Sequence, residues 1–164
     1  MSPAIAPPSP WKPAATVAAV VERDGRFLFV EEQTRDGLRI NQPAGHLDPG
    51  ESLIEACARE TLEETAHRFT PLQLLGVYLW RAGAQADAPA YLRFAFTGAL
   101  GDAVTGRALD DGIVRTLWLT PDELAARADM HRSPLVMRCV QDYLRGQRYP
   151  IDLIYTHASA KAAP

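Results

Sequence analysis

The stretch from Gly45 to His67, GHLDPGESLIEACARETLEETAH, constrains this chain more than any other. Asp48-Pro49-Gly50 is turn chemistry, and Ser52 followed three residues later by Glu55 writes a reciprocal capping box, so a helix is expected to begin at Ser52. Ile54, Ala58, Leu62 and Thr65 then recur every three or four residues and would lie against a sheet, leaving Glu60, Glu63 and Glu64 together on the other side. Like charges at these spacings cost a helix roughly 0.2 to 0.5 kcal/mol per pair, and no lysine or arginine follows at a spacing that offsets all three. A merely solvated acidic face is one explanation; a bound cation is the better one. A hard divalent ion such as Mg²⁺ prefers carboxylate, carbonyl and water oxygens and commonly bridges carboxylates to substrate phosphates.

Around this helix the pattern alternates between strands and helices. Residues 16–21 and 27–30 are β-rich runs joined through Asp24-Gly25, a strong hairpin signal, so a strand pair is expected to open the domain. Further strands are expected at 72–80, 90–97 and 113–119, and further helices at 121–128 and 134–145. The class is therefore α/β. In the run 90–97, Leu92, Phe94 and Phe96 alternate with Tyr91, Arg93 and Ala95, giving one apolar face and one mixed face that is a candidate cleft floor.

A length of 164 residues suits one domain, expected at 11–155, with a disordered lead-in at 1–10 and a flexible tail at 156–164. Five of the 13 prolines lie in the first 13 residues, in a run with neither a basic nor an apolar signal-peptide region. No apolar stretch approaches the roughly 18 residues of a membrane span. The net charge of -3 gives no footprint for duplex nucleic acid. Of the 17 basic residues only Lys12 and Lys161 are lysines, both in terminal segments, which argues against Schiff-base chemistry and a phosphate-loop lysine. Two isolated cysteines, Cys57 and Cys139, point to buried free thiols in a reducing, cytoplasmic setting.

Gly45, Glu51, Arg59-Glu60 and Glu63-Glu64 resemble the Nudix box, six residues at fixed spacings. The resemblance implies an α/β/α sandwich around a mixed sheet and a hydrolase of phosphoanhydride bonds. It also implies that Glu60, Glu63 and Glu64, with the Gly45 carbonyl, ligate Mg²⁺ or Mn²⁺, while Glu51 and Arg59 brace the loop. Arg59 has another reading, a pairing with Glu55 four residues earlier. Glu60 is the first candidate for the general base and Glu64 the second. Thr61, Ala66 and His67 depart from the box pattern. Ala66 stands in place of the glycine that ends the helix, so the helix either runs on through His67 or ends differently.

Outside the box, Trp11-Lys12-Pro13, the run 41–47, the run 132–136 and the run 146–150 resemble one bacterial phosphatase branch of that family. That branch implies release of orthophosphate from nucleoside tri- and diphosphates and from the pyrophosphate of the thiamine pyrimidine, the hydroxymethylpyrimidine type. Ile40 stands where a tryptophan is expected, which argues against stacking there. Candidate substrate contacts are Arg132 and Arg148 for phosphates, and Tyr78, Trp80 and Tyr91 for a ring. Each has a plainer alternative: a helix cap at 132–134, or core aromatics in strands. Asp110 and Asp111 are either a loop-borne base or ligand, or a solvated turn ending in Gly112. The partner expected is a small-molecule diphosphate, the assembly a monomer or homodimer. An RNA 5′-end pyrophosphohydrolase and a non-catalytic nucleotide sensor are the rival functions.

Overall fold

The helix α1 (Leu53–Thr65) begins where the capping box puts it. In the computed structural model, which describes residues 11–85 and 87–161, Glu55 N donates to Ser52 Oγ at 3.2 Å and Ser52 N donates to Glu55 Oε2 at 2.8 Å. The proline-rich lead-in at 1–10 lies outside the described residues. The helix ends at Ala66, whose φ of 57° and ψ of 15° are left-handed, with its N–H on Leu62 O. Alanine thus occupies the conformation that glycine takes without strain, and the helix stops rather than running through His67.

The face that α1 buries differs from the expected one. Of the expected positions Thr65 is buried while Ile54, Ala58 and Leu62 are half-buried, and the other buried positions are Ala56, Cys57, Thr61 and Glu64. Small residues on the seam let the helix lie close to its neighbours, and the buried hydroxyls bond within the helix, Thr61 to Cys57 O at 2.7 Å and Thr65 to Thr61 O at 2.6 Å. Glu64 therefore sits at the edge of the core rather than on an open acidic face.

Two sheets flank this arrangement. In the first, β1 (Ala14–Ala19) runs parallel to β7 (Ala90–Ala103) and antiparallel to β5 (Ala44–His46), and β7 pairs in turn with β6 (His67–Arg81) and β6 with β9 (Tyr149–Pro150), giving the order β5-β1-β7-β6-β9. In the second, β3 (Arg26–Thr34) pairs with β8 (Ile113–Leu119), β2 (Glu22–Arg23) and β4 (Gly37–Asn41). The expected opening strand pair is corrected here: β1 and β3 belong to different sheets. The chain changes sheets at Val20 and Val21, where Val20 N donates to Phe96 O of β7 and Leu28 N of β3 donates to Val21 O. The hairpin proper is β2–β3, with Asp24 and Gly25 at positive φ in its tip. The short strands β4, β5 and β9 carry too few alternating residues to announce themselves.

Alternation along β1 builds both cores. Val17 and Ala19 join Cys57 of α1 and Phe96, whereas Ala18 and Val20 join Val136, Cys139 and Val140 of α3 (Leu135–Leu144) and Leu124 of α2 (Pro121–Ala125). The mixed first sheet therefore lies between helices, the α/β/α sandwich. In the tail, residues 158–160 form a 3-10 turn and Lys161 Nζ lies 2.8 Å from Glu55 Oε1.

The Ala66 conformation yields a direct test. Left-handed backbone disfavours alanine by roughly 1 to 2 kcal/mol, and the freedom glycine adds to the unfolded chain offsets about 0.4 to 1 kcal/mol of that. The net relief is at most about 1.6 kcal/mol, so Ala66→Gly is expected to raise the melting temperature by at most about 6 °C; a lower melting temperature would mean that the Ala66 methyl group contributes packing that outweighs the relief.

Candidate active site

Arg59 organises the acidic end of the molecule. Its Nε and Nη2 form a fork on Glu51, at 3.0 and 2.7 Å, its Nη1 reaches Glu60 at 2.8 Å and Glu63 at 2.9 Å, and Nη2 also donates to the His46 carbonyl at 3.0 Å. The loop before α1 is thereby tied to the helix, since Glu51 in turn accepts from Asp48 N at 2.8 Å. The alternative pairing with Glu55 does not form; Glu55 is taken by Ser52 and Lys161. Hydrogen bonding to Arg59 holds the Glu51 carboxyl below the usual range.

Beside this hub the carboxylates are crowded and dry. Burial pushes Glu64 up to about 8 against the hydrogen bond it accepts from Ala44 N at 2.8 Å, with Glu60, Glu32 and Asp110 adding like-charge repulsion. Burial likewise raises Glu60. A methyl group at Gly45 would overlap the Glu60 carboxylate, so only glycine lets this backbone lie against it. Among the described residues no three Asp, Glu, His or Cys side chains form a ready-made metal cage: Arg59 draws Glu60 and Glu63 to itself while Ala44 holds Glu64. Asp110 docks its loop on the helix end, its N–H on Glu63 O at 3.1 Å, and faces the same cluster. Asp111 is exposed.

A cleft of about 280 Å³ opens from Ala44 and Gly45 along the first sheet. Its lining includes Trp80, Tyr91, Arg93 and Arg132, so the mixed face of β7 is its floor. Trp80 and Tyr91 stack at 5.8 Å and 19°, and His46 lies 6.4 Å from Tyr91. Arg93, 8% exposed, donates to Gln42 Oε1 at 3.2 Å and Asn41 Oδ1 at 3.3 Å, and Gln42 is itself fixed by donating to Val136 O at 2.7 Å. Arg132 lies 3.4 Å from Glu32 Oε1, while its own N–H caps Ile40 O. Ile40 is fully buried and offers no stacking surface.

The structure thus brings together Gly45, Glu51, Arg59, Glu60, Glu63, Glu64 and Asp110, and in the adjoining cleft Trp80, Tyr91 and Arg132. Two expected substrate contacts, Tyr78 and Arg148, lie outside the lining of this cleft. Tyr78 shares a strand face with Trp80 but lies under α3, its hydroxyl donating to Asp142 Oδ2 at 3.1 Å. Arg148 folds back on the end of α3, 3.8 Å above the Tyr143 ring, and donates to Tyr143 O and Gln147 O. Glu32, Thr16 and Arg93 were not singled out by sequence; Arg93 was signalled only as part of the mixed face of its strand, and nothing in the sequence distinguishes Glu32 from Glu31.

The likeness to known proteins covers nearly the whole of this architecture. A NUDIX domain matches residues 10–139. The phosphatase NudJ of Escherichia coli K12 is 38% identical over 144 residues, 88% of this chain and 92% of NudJ. A NUDIX hydrolase of known structure from Nitrosomonas europaea is 49% identical with a TM-score of 0.85, covering 90% of this chain and 99% of that one. A MutT NUDIX hydrolase from Burkholderia pseudomallei, 19% identical with a TM-score of 0.67 over 80% of this chain and 98% of that one, shares the fold. The chain belongs to the Nudix hydrolase family and is an enzyme of its pyrophosphohydrolase and phosphatase class.

Proposed function

We propose that this enzyme releases orthophosphate from nucleoside tri- and diphosphates and from thiamine-pathway pyrophosphates of the hydroxymethylpyrimidine type, with Mg²⁺ or Mn²⁺ at the acidic end of the cleft. The observation that carries this reading is that a cleft lined by a stacked aromatic pair and two arginines ends at Ala44 and Gly45, the backbone against which the desolvated Glu64 and Glu60 carboxylates lie. The likeness to a protein named a phosphatase supports orthophosphate as the product.

Nudix hydrolases generally use divalent metals. The residues here fit one: the donors are all oxygens, burial and mutual repulsion raise Glu60 and Glu64, and Gly45 brings a backbone against the Glu60 carboxylate. Glu60, Glu63, Glu64 and the Gly45 carbonyl would hold the ion. Bound there, such an ion would supply positive charge for the phosphates and the leaving oxygen and would make a water more acidic. Glu60 is the first candidate to accept a proton from the attacking water, and Glu64 the second. Arg59 holds Glu60 and Glu63 and keeps the Glu51 loop closed against the helix. Trp80 and Tyr91 offer a platform for the ring of the substrate, and Asp110 faces the carboxylates from the far loop. An RNA 5′-end pyrophosphohydrolase would want a basic path, which the net charge of -3 does not favour, and a sensor would have no need of the carboxylates kept here. Buried, unpaired Cys57 and Cys139 agree with a cytoplasmic setting, and among the described residues no helix is long and apolar enough to cross a membrane.

Glu64→Gln is expected to lower turnover at least about a hundredfold, and to abolish the rise in melting temperature that Mg²⁺ gives the parent enzyme. Undiminished turnover, in this variant or in excess chelator, would overturn the metal reading. In chelator the sign of the pH effect is also fixed. The Glu64 carboxyl rises from 4.5 unfolded to about 8 folded, so its contribution to stability is full below pH 4.5 and is lost as pH climbs to about 8. The parent enzyme should lose stability across that window relative to Glu64→Gln, which thermal melts at several pH values will read. Product analysis on a nucleoside triphosphate, without added pyrophosphatase, should show the diphosphate first and orthophosphate throughout; pyrophosphate appearing together with monophosphate, with no diphosphate, contradicts the proposed products.

A further inference from the structure

Among the described residues, only two buried side-chain polar atoms lack a hydrogen-bond partner: Thr16 Oγ1 and Glu32 Oε1. Both residues line the cleft. Thr16 stands directly across from Arg93 in the β1–β7 register. An unpartnered buried hydroxyl is rare in folded proteins and asks for a missing partner.

Arg93 makes the same demand from the neighbouring strand. A guanidinium offers five N–H donors, and the two hydrogen bonds here, at 3.2 and 3.3 Å, go to the neutral amides of Gln42 and Asn41. No carboxylate among the described residues hydrogen-bonds it. The carboxylate of the floor, Glu32, has its own cation in Arg132 at 3.4 Å. Arg93 is thus a buried charge with spare donors that feels Glu32 and Glu64 through space but hydrogen-bonds no carboxylate, fixed in place by Gln42, which α3 anchors in turn. Burying such a charge is unfavourable unless an anion completes it. The position it occupies on β7 is followed by fully buried Ala95, so an apolar residue would have fitted the strand pattern.

We infer that Arg93, with the Thr16 hydroxyl beside it, is a phosphate anchor: together they hold the phosphate next to the one under attack and so fix how far the substrate enters. This rests on the proposed function, and it assigns to the cleft floor the phosphate contact expected of Arg148, which is turned away at the end of α3. A planar guanidinium fork matches two phosphate oxygens, and a hydroxyl from the adjacent strand adds a third donor. Arg132 at the rim, half-exposed, can exchange Glu32 for substrate.

The test is calorimetric binding of inorganic pyrophosphate and of a nucleoside diphosphate, in excess chelator, to the parent enzyme, Arg93→Lys and Thr16→Val. Arg93→Lys, which keeps charge and loses the fork, should weaken both probes about tenfold or more; Thr16→Val, which keeps the shape, should weaken them about threefold to tenfold while its melting temperature holds or rises. In the complete reaction with metal, KM should rise in both variants and the ratio of orthophosphate to pyrophosphate released from a triphosphate should change. Wild-type affinity in both variants overturns the anchor, as does a parent enzyme that binds neither probe without metal. Should Arg93→Lys fail to fold, Thr16→Val decides alone. Binding through Arg93 and Thr16 without any hydrolysis would sink the proposed function and leave the anchor standing; hydrolysis with unaltered binding in the variants does the reverse.

Discussion

One guanidinium holds the acidic end of this molecule together. Arg59 touches Glu51, Glu60, Glu63 and the His46 carbonyl at once, joining the loop from β5 to the helix that follows it. An exposed ion pair is worth little, but here one partly buried fork serves several carboxylates whose mutual repulsion would otherwise work against the helix. The cap at Ser52, the turn at 48–50 and the placement of Gly45 against Glu60 all presuppose that the loop stays where Arg59 pins it. The fold positions the site through this contact, and the site in turn loads the fold with charge it would be more stable without.

That load is concentrated at Glu64. Its carboxylate lies at the edge of the core, satisfied by one backbone N–H and opposed by Glu60, Glu32 and Asp110. A hydrophobic residue there would suit packing, which is why the position reads as functional rather than architectural. The same logic extends across the cleft to buried Arg93 and to Thr16, whose hydroxyl has no hydrogen-bond partner among the described residues.

Much of this was legible in the chain. The Ser52 cap, the start of α1 and the 113–119 strand follow from local chemistry that tertiary context does not override, whereas the end of α1 was open because Ala66 replaces a glycine. The helix face was less so: α1 lies between sheets, so small Cys57 and Thr61 are buried more deeply than bulkier Ile54 and Leu62. The sheet partners of 16–21 were invisible because hairpin signals speak only of neighbours, and β1 pairs with strands far along the chain. Tyr78 and Trp80 share a strand face, and only the position of α3 separates the covered ring from the open one. Arg148 could not be told from a ligand contact without knowing that Tyr143 lies beneath it.

The parallel pairing of β1 with β7 also governs when the enzyme comes into being. Thr16 meets Arg93 only after most of the chain between them has been made, since a parallel partner cannot be reached through a tight turn. A nascent chain emerging from the ribosome has the β2–β3 hairpin, β5 and α1 available early, so its first strand can pair with β5 and pack on α1, but its other edge stays unpaired until β7 arrives. The helix that bears Glu60, Glu63 and Glu64 is thus a product of earlier synthesis and the cleft floor of later synthesis, so a stalled or truncated chain carries these carboxylates without Tyr91 and Arg93 beside them.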